Sequence, residues 1–276
     1  MSKKLFSLGV FRYNYGVPQQ ITITAEYFKE YRKKLGFSRQ DDAEDFFGAK
    51  DIMPVVDLEY IELLNERLYH IIDKINDIVP KEIKIDDLAA FKRENIENAF
   101  TIMKENNILP RLNNQGRRRE HVYYNWMRGY VFSHYFTRAL GLIFSVDVSK
   151  ITLIGDDDLT NIETFKRSAK ADLSISSNKM RIEIQSGFTG LNDIKKHKVV
   201  EAKKVFADSG FHTLAIHFDL YNGQVAFIKL DEIAEESMNW IKREQMEGQV
   251  VFNIDQNYFV WKIIELPPKF KDLVLE

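Results

Sequence analysis

Two acidic residues and an amide residue lie close together in the sequence, on either side of a short turn. Asp172 begins one segment with strand character, and Glu183 and Gln185 lie in the next segment, beyond a turn at residues 177–178. Apolar and polar residues alternate over residues 180–185, which predicts a strand with one apolar and one polar face. Glu183 and Gln185 are therefore expected to project from the same face.

Pairing of the two segments as a hairpin would bring the carboxylates of Asp172 and Glu183 together, because opposed Cβ atoms lie about 4.5–5.5 Å apart. Carboxylates that close repel each other unless one is protonated or a cation lies between them. Mg²⁺ takes oxygen ligands and is held by one or two carboxylates with waters and substrate phosphate. Such a site is suited to phosphodiester hydrolysis. The alternative that the residues leave open is an edge hairpin with a solvated polar face.

The pattern resembles the signature of the PD-(D/E)xK nuclease superfamily, an Asp followed on the next strand by Asp or Glu, any residue and Lys. The resemblance implies that Asp172, Glu183 and the Ile184 carbonyl bind Mg²⁺, with Mn²⁺ as a substitute, and that Gln185 holds the attacking water. It also implies an extra acidic residue on a preceding helix, a role that falls to Glu120. A first-turn glutamate stabilised by the helix dipole is the alternative for Glu120.

The elements around the signature are similar to that family's core. A predicted amphipathic helix over residues 190–208 and an apolar strand from Thr213 follow the hairpin, which gives the order strand, strand, helix, strand. Two positions depart from the signature: Ala171 stands where the family has Pro, and Gln185 stands where it has Lys. A minority of restriction endonucleases resemble this chain in carrying Gln at the second position.

Two basic segments are candidates for contacts with DNA. Residues 111–119 form a polar loop whose amide and guanidinium groups are of the kind that contact base edges and phosphates, and a solvated connector is the alternative. Lys195 and Lys196 begin the helix after the hairpin and are candidates for phosphate contact and for the cation that Gln185 lacks. Other lysines of that helix, Lys198 among them, are predicted mostly to face away from the core. The candidate loop residues are Asn113, Asn114, Gln115, Arg117, Arg118 and Arg119.

Composition limits the class of protein. The chain has 276 residues, 45% hydrophobic and 29% charged, which is sufficient for one large domain or two modest ones. The absence of cysteine excludes disulfides and thiolate metal sites and fits a cytoplasmic protein. A formal net charge of −2 argues against broad coating of nucleic acid, but local basic clusters still suffice for a DNA enzyme.

The periodicity predicts an α/β (α+β) fold, with a central mixed β-sheet flanked by helices. We expect a mostly helical region over residues 1–110, for recognition, dimerisation or scaffolding, and a nuclease-like core over residues 111–276. Predicted helices cover residues 25–35, 57–79, 86–106, 120–140, 190–208 and 231–246. Predicted strands cover residues 151–154, 170–176, 179–185, 213–218, 224–229, 250–254 and 258–264.

The function that the resemblance implies is that of a type II restriction endonuclease. Such an enzyme is a Mg²⁺-dependent hydrolase of double-stranded DNA, acts as a homodimer on a palindromic site, and is accompanied by a DNA methyltransferase for the same site. The alternatives are a repair or recombination nuclease of the same fold, a non-catalytic DNA-binding or assembly protein, and an unrelated α+β protein in which the acidic pair is incidental.

Overall fold

The computed structural model describes residues 23–52, 55–112, 117–155, 159, 169–244 and 248–275. The chain divides into two compact units, Met1–Pro54 and Val55–Glu276. In the first unit, α1 (Ala25–Lys34) begins after Thr24, whose hydroxyl accepts a hydrogen bond from the Tyr27 amide, and α2 (Gln40–Phe47) follows. The start of the helix predicted over residues 25–35 is therefore confirmed.

The second unit begins with a helical layer. Asp57 caps α3 by accepting a hydrogen bond from the Tyr60 amide, and Asp87 caps the next helical run through the Ala90 amide. That run contains a π-helical turn between two α-helical stretches and covers most of the predicted helix over residues 86–106. The elements are α3 (Leu58–Ile78), α4 (Leu88–Lys92), the π turn (Arg93–Glu97) and α5 (Asn98–Glu105).

The single helix predicted over residues 120–140 is instead two helices, α6 (Arg119–Tyr135) and α7 (Thr137–Phe144). The helical path is interrupted at Phe136, where φ is −85° and ψ is 8°. The Phe136 ring lies parallel to the Phe218 ring of the sheet, with the ring centroids 4.0 Å apart. Packing against the sheet therefore overrides a continuous helix at this residue.

Six strands form a mixed sheet in the order β1-β2-β3-β5-β6-β9, and three more form a second sheet in the order β4-β8-β7. The pairing of β3 with β5 is parallel, and the other pairings of the six-stranded sheet are antiparallel. The predicted mixed α/β class is confirmed. The strands are β1 (Thr152–Leu153), β2 (Leu173–Ile175), β3 (Met180–Gly187), β4 (Asp193–Lys195), β5 (His212–Asp219), β6 (Gln224–Lys229), β7 (Trp240–Arg243), β8 (Gln249–Asn253) and β9 (Phe259–Lys262).

The second sheet accounts for two errors in the predicted helices. The helix expected from residue 190 begins only at α8 (Lys196–Ser209), because β4 precedes it and pairs with β8. The helix expected over residues 231–246 is replaced by a short 3₁₀ turn and by β7. The Trp240 ring packs edge-to-face on Phe252 of β8, so apolar pairing between strands decides the conformation here.

The six-stranded sheet has an apolar core on each face. Ile182, Leu214 and Ile216 belong to the core shared with the preceding helices, whereas Ala215 and Ile228 belong to the core shared with α8 and the second sheet. The boundary predicted after residue 110 lies within the second unit, because helices on both sides of it contribute to one core. Among the residues that the structure describes, no helix combines the length and apolar character needed to cross a membrane.

Candidate functional site

The candidate site lies on β3, between an antiparallel neighbour, β2, and a parallel neighbour, β5. Glu183 is in register with Ala215, which belongs to the core on the α8 face. Ile182 is in register with Leu214 and faces the core on the opposite side. The alternation predicted for β3 is thus present, with Glu183 on the face that α8 covers.

Asp172 lies immediately before β2, opposite the middle of β3. The β2–β3 ladder ends at the pair Leu173 and Ile182. One residue further, the Asp172 amide donates to the Ile182 carbonyl at 3.1 Å, and the Ile184 amide donates to Asp172 Oδ2 at 2.6 Å. The Asp172 carboxylate therefore accepts a hydrogen bond from the β3 backbone at the residue after Glu183.

Glu183 forms an ion pair in the interior. It is 5% exposed, and its Oε2 lies 2.9 Å from Nζ of Lys198 in the first turn of α8. Lys198 Nζ also donates to the Lys170 carbonyl at 3.2 Å. One ammonium group therefore links β3 to the segment that leads into Asp172.

Lys198 is a candidate site residue that the sequence pattern did not indicate. The prediction that it faces away from the core is wrong, because its side chain is 16% exposed and lies against Glu183. Of the two lysines that were selected instead, Lys195 ends β4, and the ammonium of Lys196 lies 5.9 Å from the Trp240 ring. The spacing of Lys198 from the buried Val199 and Ala202 was the signal in the sequence. The predicted helix began at residue 190, whereas α8 begins at Lys196.

A cleft opens beside this ion pair. Its charged walls are Arg181 and Glu183 from β3 and Lys198 and Glu201 from α8, and alanines and other uncharged residues line the remainder. Two acidic and two basic side chains therefore meet where β3 and α8 face each other. The cleft is small and has room for about one water beside the carboxylate and the ammonium.

The residues present fit a hard divalent cation by the chemistry of their donors. Asp172 and Glu183 supply carboxylate oxygens, and Ile184 supplies a carbonyl on the strand between them, which is the kind of set that Mg²⁺ uses. Glu183 already has a cationic partner, since the Lys198 ammonium lies 2.9 Å from it. A bound cation would therefore share the Glu183 carboxylate with Lys198.

Gln185 borders a buried polar network on the same face of the sheet. It is in register with His217 of β5, which is 3% exposed and whose Nε2 lies 2.7 Å from Asn192 Oδ1. Asn192 in turn donates to the buried carboxylate of Asp219 at 3.1 Å. This network attaches the segment after β3 to the end of β5.

Neutral amides stabilise the Asp219 carboxylate. The side-chain amides of Asn192, Asn222 and Gln224 all donate to its Oδ2. Burial alone would raise the pKa of Asp219, but these hydrogen bonds together hold that pKa below its usual value. The carboxylate is therefore expected to remain ionised inside the fold.

The remaining predicted site residues have structural contacts. Glu120 is 4% exposed, and its Oε1 accepts a hydrogen bond from the Asp57 amide at the start of α3. Arg118 forms ion pairs with Glu120 at 3.3 Å and with Asp57 at 3.6 Å, and Arg119 donates to the Pro110 carbonyl at 2.6 Å. Arg117 is exposed. Asn113, Asn114 and Gln115 lie outside the described residues.

A second group of potential metal ligands lies at the start of β5. Ligand atoms of His212, Asp231 and Glu232 lie within 4.8 Å of one another. Asp231 accepts hydrogen bonds from His212 Nδ1 and from the Thr213 amide, both at 2.7 Å, and Glu232 pairs with Lys229. These hydrogen bonds connect β5 to the turn that follows β6, which gives the group a structural explanation.

Comparison of the chain with protein-family models, with curated proteins and with solved structures found no match. Function is therefore inferred from the geometry of the site.

Gly187→Ala is expected to destabilise the protein by about 1–3 kcal/mol, because added atoms in a packed interior force neighbours to shift. A Cβ at Gly187 would lie 2.9 Å from Asn192 Oδ1 and 3.0 Å from His217 Nε2. The matched control is Gly129→Ala in α6, where nothing lies within 4 Å and where alanine favours the helix by about 1 kcal/mol. Urea denaturation measures both variants, and equal midpoints would contradict the expected clash.

His217 is expected to make stability fall as the pH decreases from about 6.5 to about 4. Burial is the main cause that lowers the His217 pKa from 6.5 to about 4, so the unfolded chain binds this proton at a higher pH than the folded chain does. The free energy of unfolding is expected to decrease by about 3 kcal/mol over this range, at about 1.4 kcal/mol per pH unit. In His217→Gln the corresponding slope of unfolding free energy against pH should be absent, and a variant with the wild-type slope would exclude His217 as its source.

Proposed function

We propose that this protein is a Mg²⁺-dependent endonuclease that hydrolyses phosphodiester bonds of double-stranded DNA, similar to type II restriction endonucleases. The observation that carries the proposal is that the Asp172 carboxylate binds the β3 backbone beside Glu183, which is paired with Lys198. The succession β2, β3, α8 and β5, with β3 parallel to β5, has the same order as the strand, strand, helix, strand core of the PD-(D/E)xK fold and supports the proposal.

In this proposal Asp172, Glu183 and the Ile184 carbonyl hold the metal. When bound, Mg²⁺ lowers the pKa of a coordinated water and neutralises charge on the phosphate. Gln185 orients the attacking water by hydrogen bonding. Lys198 supplies the positive charge that Gln185 lacks, and its position beside the cleft allows it to stabilise negative charge on the scissile phosphate.

The wider biological setting is part of the same proposal. The enzyme acts as a homodimer in the cytoplasm, since a palindromic duplex site requires two-fold symmetry in the protein. A companion DNA methyltransferase that modifies the same sequence protects the host DNA. Mn²⁺ replaces Mg²⁺ in the same oxygen site.

Asp172→Ala and Glu183→Ala are each expected to lower the rate of Mg²⁺-dependent DNA cleavage by at least about 100-fold, because the metal contributes several kcal/mol of charge stabilisation in the transition state. Cleavage of unmethylated plasmid and phage DNA by the full-length chain measures this effect. Asp208→Ala, an exposed carboxylate at the end of α8, is the control and should retain the wild-type rate.

The pattern of products separates the proposal from its alternatives. Discrete fragments support a restriction endonuclease, whereas a smear or cleavage of branched DNA alone supports a repair or recombination nuclease. Binding without cleavage in both Mg²⁺ and Mn²⁺ supports a non-catalytic DNA-binding protein. Cleavage that persists in both Asp172→Ala and Glu183→Ala would refute the proposed site.

Lys198→Met is expected to lower the single-turnover cleavage rate by about 100-fold, the effect of removing one donor to developing negative charge. Lys196→Met is the matched control, since the Lys196 ammonium lies beside Trp240 rather than beside Glu183. Lys198→Arg keeps the charge and should restore part of the rate. Thermal unfolding and DNA affinity identify a variant that is merely misfolded, and a folded Lys198→Met with the wild-type rate would eliminate this role.

A further inference from the structure

Arg128 on α6 is a half-buried arginine with no acidic partner in the part of the chain that the structure describes. Its Nε is buried and makes no hydrogen bond, and an Nη2 hydrogen bond to the Asn125 side chain is its polar contact. Among the residues that the structure describes, no carboxylate lies within ion-pair distance of it. Burial lowers the pKa of Arg128, so the environment is unfavourable to the charge that this side chain carries.

Two other arginines in the same unit have carboxylate partners. Arg243, whose side chain is 25% exposed, makes two hydrogen bonds to Asp193 at 2.9 and 3.0 Å. Arg138 pairs with Asp86 at 2.7 Å. A partly desolvated guanidinium is costly unless an anion compensates it. The described part of the chain provides no such anion at Arg128, and an anionic ligand would supply it.

Aromatic rings fix the position of the Arg128 guanidinium. The Cζ atom of Arg128 lies 4.0 Å from the centroid of the Phe188 ring and 4.9 Å from the centroid of the Tyr124 ring. Stacking on the two rings holds the planar group in place, and guanidinium N–H groups match the oxygens of phosphate. The side chain is thus held in place before any ligand binds.

Arg128 also lies close to the proposed catalytic strand. Phe188 directly follows β3, three residues after Gln185. At a rise of about 3.3 Å per strand residue, this is roughly 10 Å along the backbone. Arg128 therefore lies beyond the C-terminal end of β3, on the face of the sheet that packs against the preceding helices.

The exposed face of α6 leads from Arg128 towards the basic loop. His121, Asn125 and Arg128 are spaced by four and three residues and therefore share one side of the helix. His121 and Asn125 are exposed, and His121 contacts the Tyr60 hydroxyl at 2.9 Å. This side of α6 continues to the exposed Arg117, before the helix begins.

We propose that Arg128 binds a backbone phosphate of duplex DNA and that the His121–Asn125–Arg128 face of α6 lies along that backbone. The inference rests on the proposed nuclease function and adds a contact outside the metal site. Arg128 positions the substrate and takes no part in bond cleavage. Its charge is compensated when the phosphate is bound.

The test measures duplex DNA affinity against salt concentration in an Asp172→Ala background, so that cleavage does not interfere. Arg128→Met keeps an apolar side chain against Phe188 but removes the charge. It is expected to weaken binding about tenfold or more and to reduce the slope of log K against log salt by about 0.9, the value for one phosphate contact. Arg128→Lys keeps the charge and should retain most of the slope.

Arg138→Met is the matched control and should leave the slope unchanged, since Arg138 is already paired with Asp86. The melting temperature distinguishes a ligand-binding role from a structural one. Removing an uncompensated charge should leave the melting temperature of Arg128→Met unchanged or raised, whereas a structural arginine would lower it.

Two results overturn the inference: an unchanged salt slope in Arg128→Met, or a clear loss of its thermal stability beyond that of the control. Failure of the proposed function is distinguishable. If the wild-type protein neither binds nor cleaves DNA, both proposals fail. If the wild-type protein cleaves DNA and Arg128→Met binds DNA normally, only the role of Arg128 fails.

Discussion

The buried ion pair between Glu183 and Lys198 is the interaction on which the site depends. A carboxylate that is 5% exposed is unfavourable without a compensating charge, and that charge reaches it only if the first turn of α8 lies over the middle of β3. The parallel pairing of β3 with β5 enforces this arrangement, because parallel neighbours need a crossover connection and α8 is part of it. Charge balance and sheet topology therefore select the same geometry.

Much of the fold was predictable because its local signals agree with its tertiary contacts. The caps at Thr24 and Asp57, the alternation in β3 and the Asn222–Gly223 turn between β5 and β6 all depend on neighbours in the sequence. The errors arise where partners distant in sequence decide the conformation. β4 and β7 are strands because β8 lies between them, and the helix before Phe136 ends because a ring of β5 packs against that residue.

The same distinction applies to the site. The placement of Asp172 opposite Glu183 follows from a two-residue period and a turn, so it was predictable from sequence. The selection of Lys198 over Lys195 and Lys196 depends on where α8 begins, and this is set by the pairing of β4 with β8. The position of the Arg128 guanidinium depends on its contacts with the rings of Phe188 and Tyr124. No local pattern in the sequence specifies these contacts.

The order of strands also has a consequence for how quickly the site forms. β2 with β3 and β5 with β6 are pairs of sequence neighbours, and hairpins of this kind form in about 1–10 μs. The β3–β5 pairing joins these two hairpins across the whole of α8, so it requires a longer loop to close and is expected to be the slower step. Glu183 lies in the first hairpin, and Lys198 lies in the connection between the two hairpins. A folding intermediate with both hairpins formed would therefore possess most of the sheet and would lack the Glu183–Lys198 ion pair.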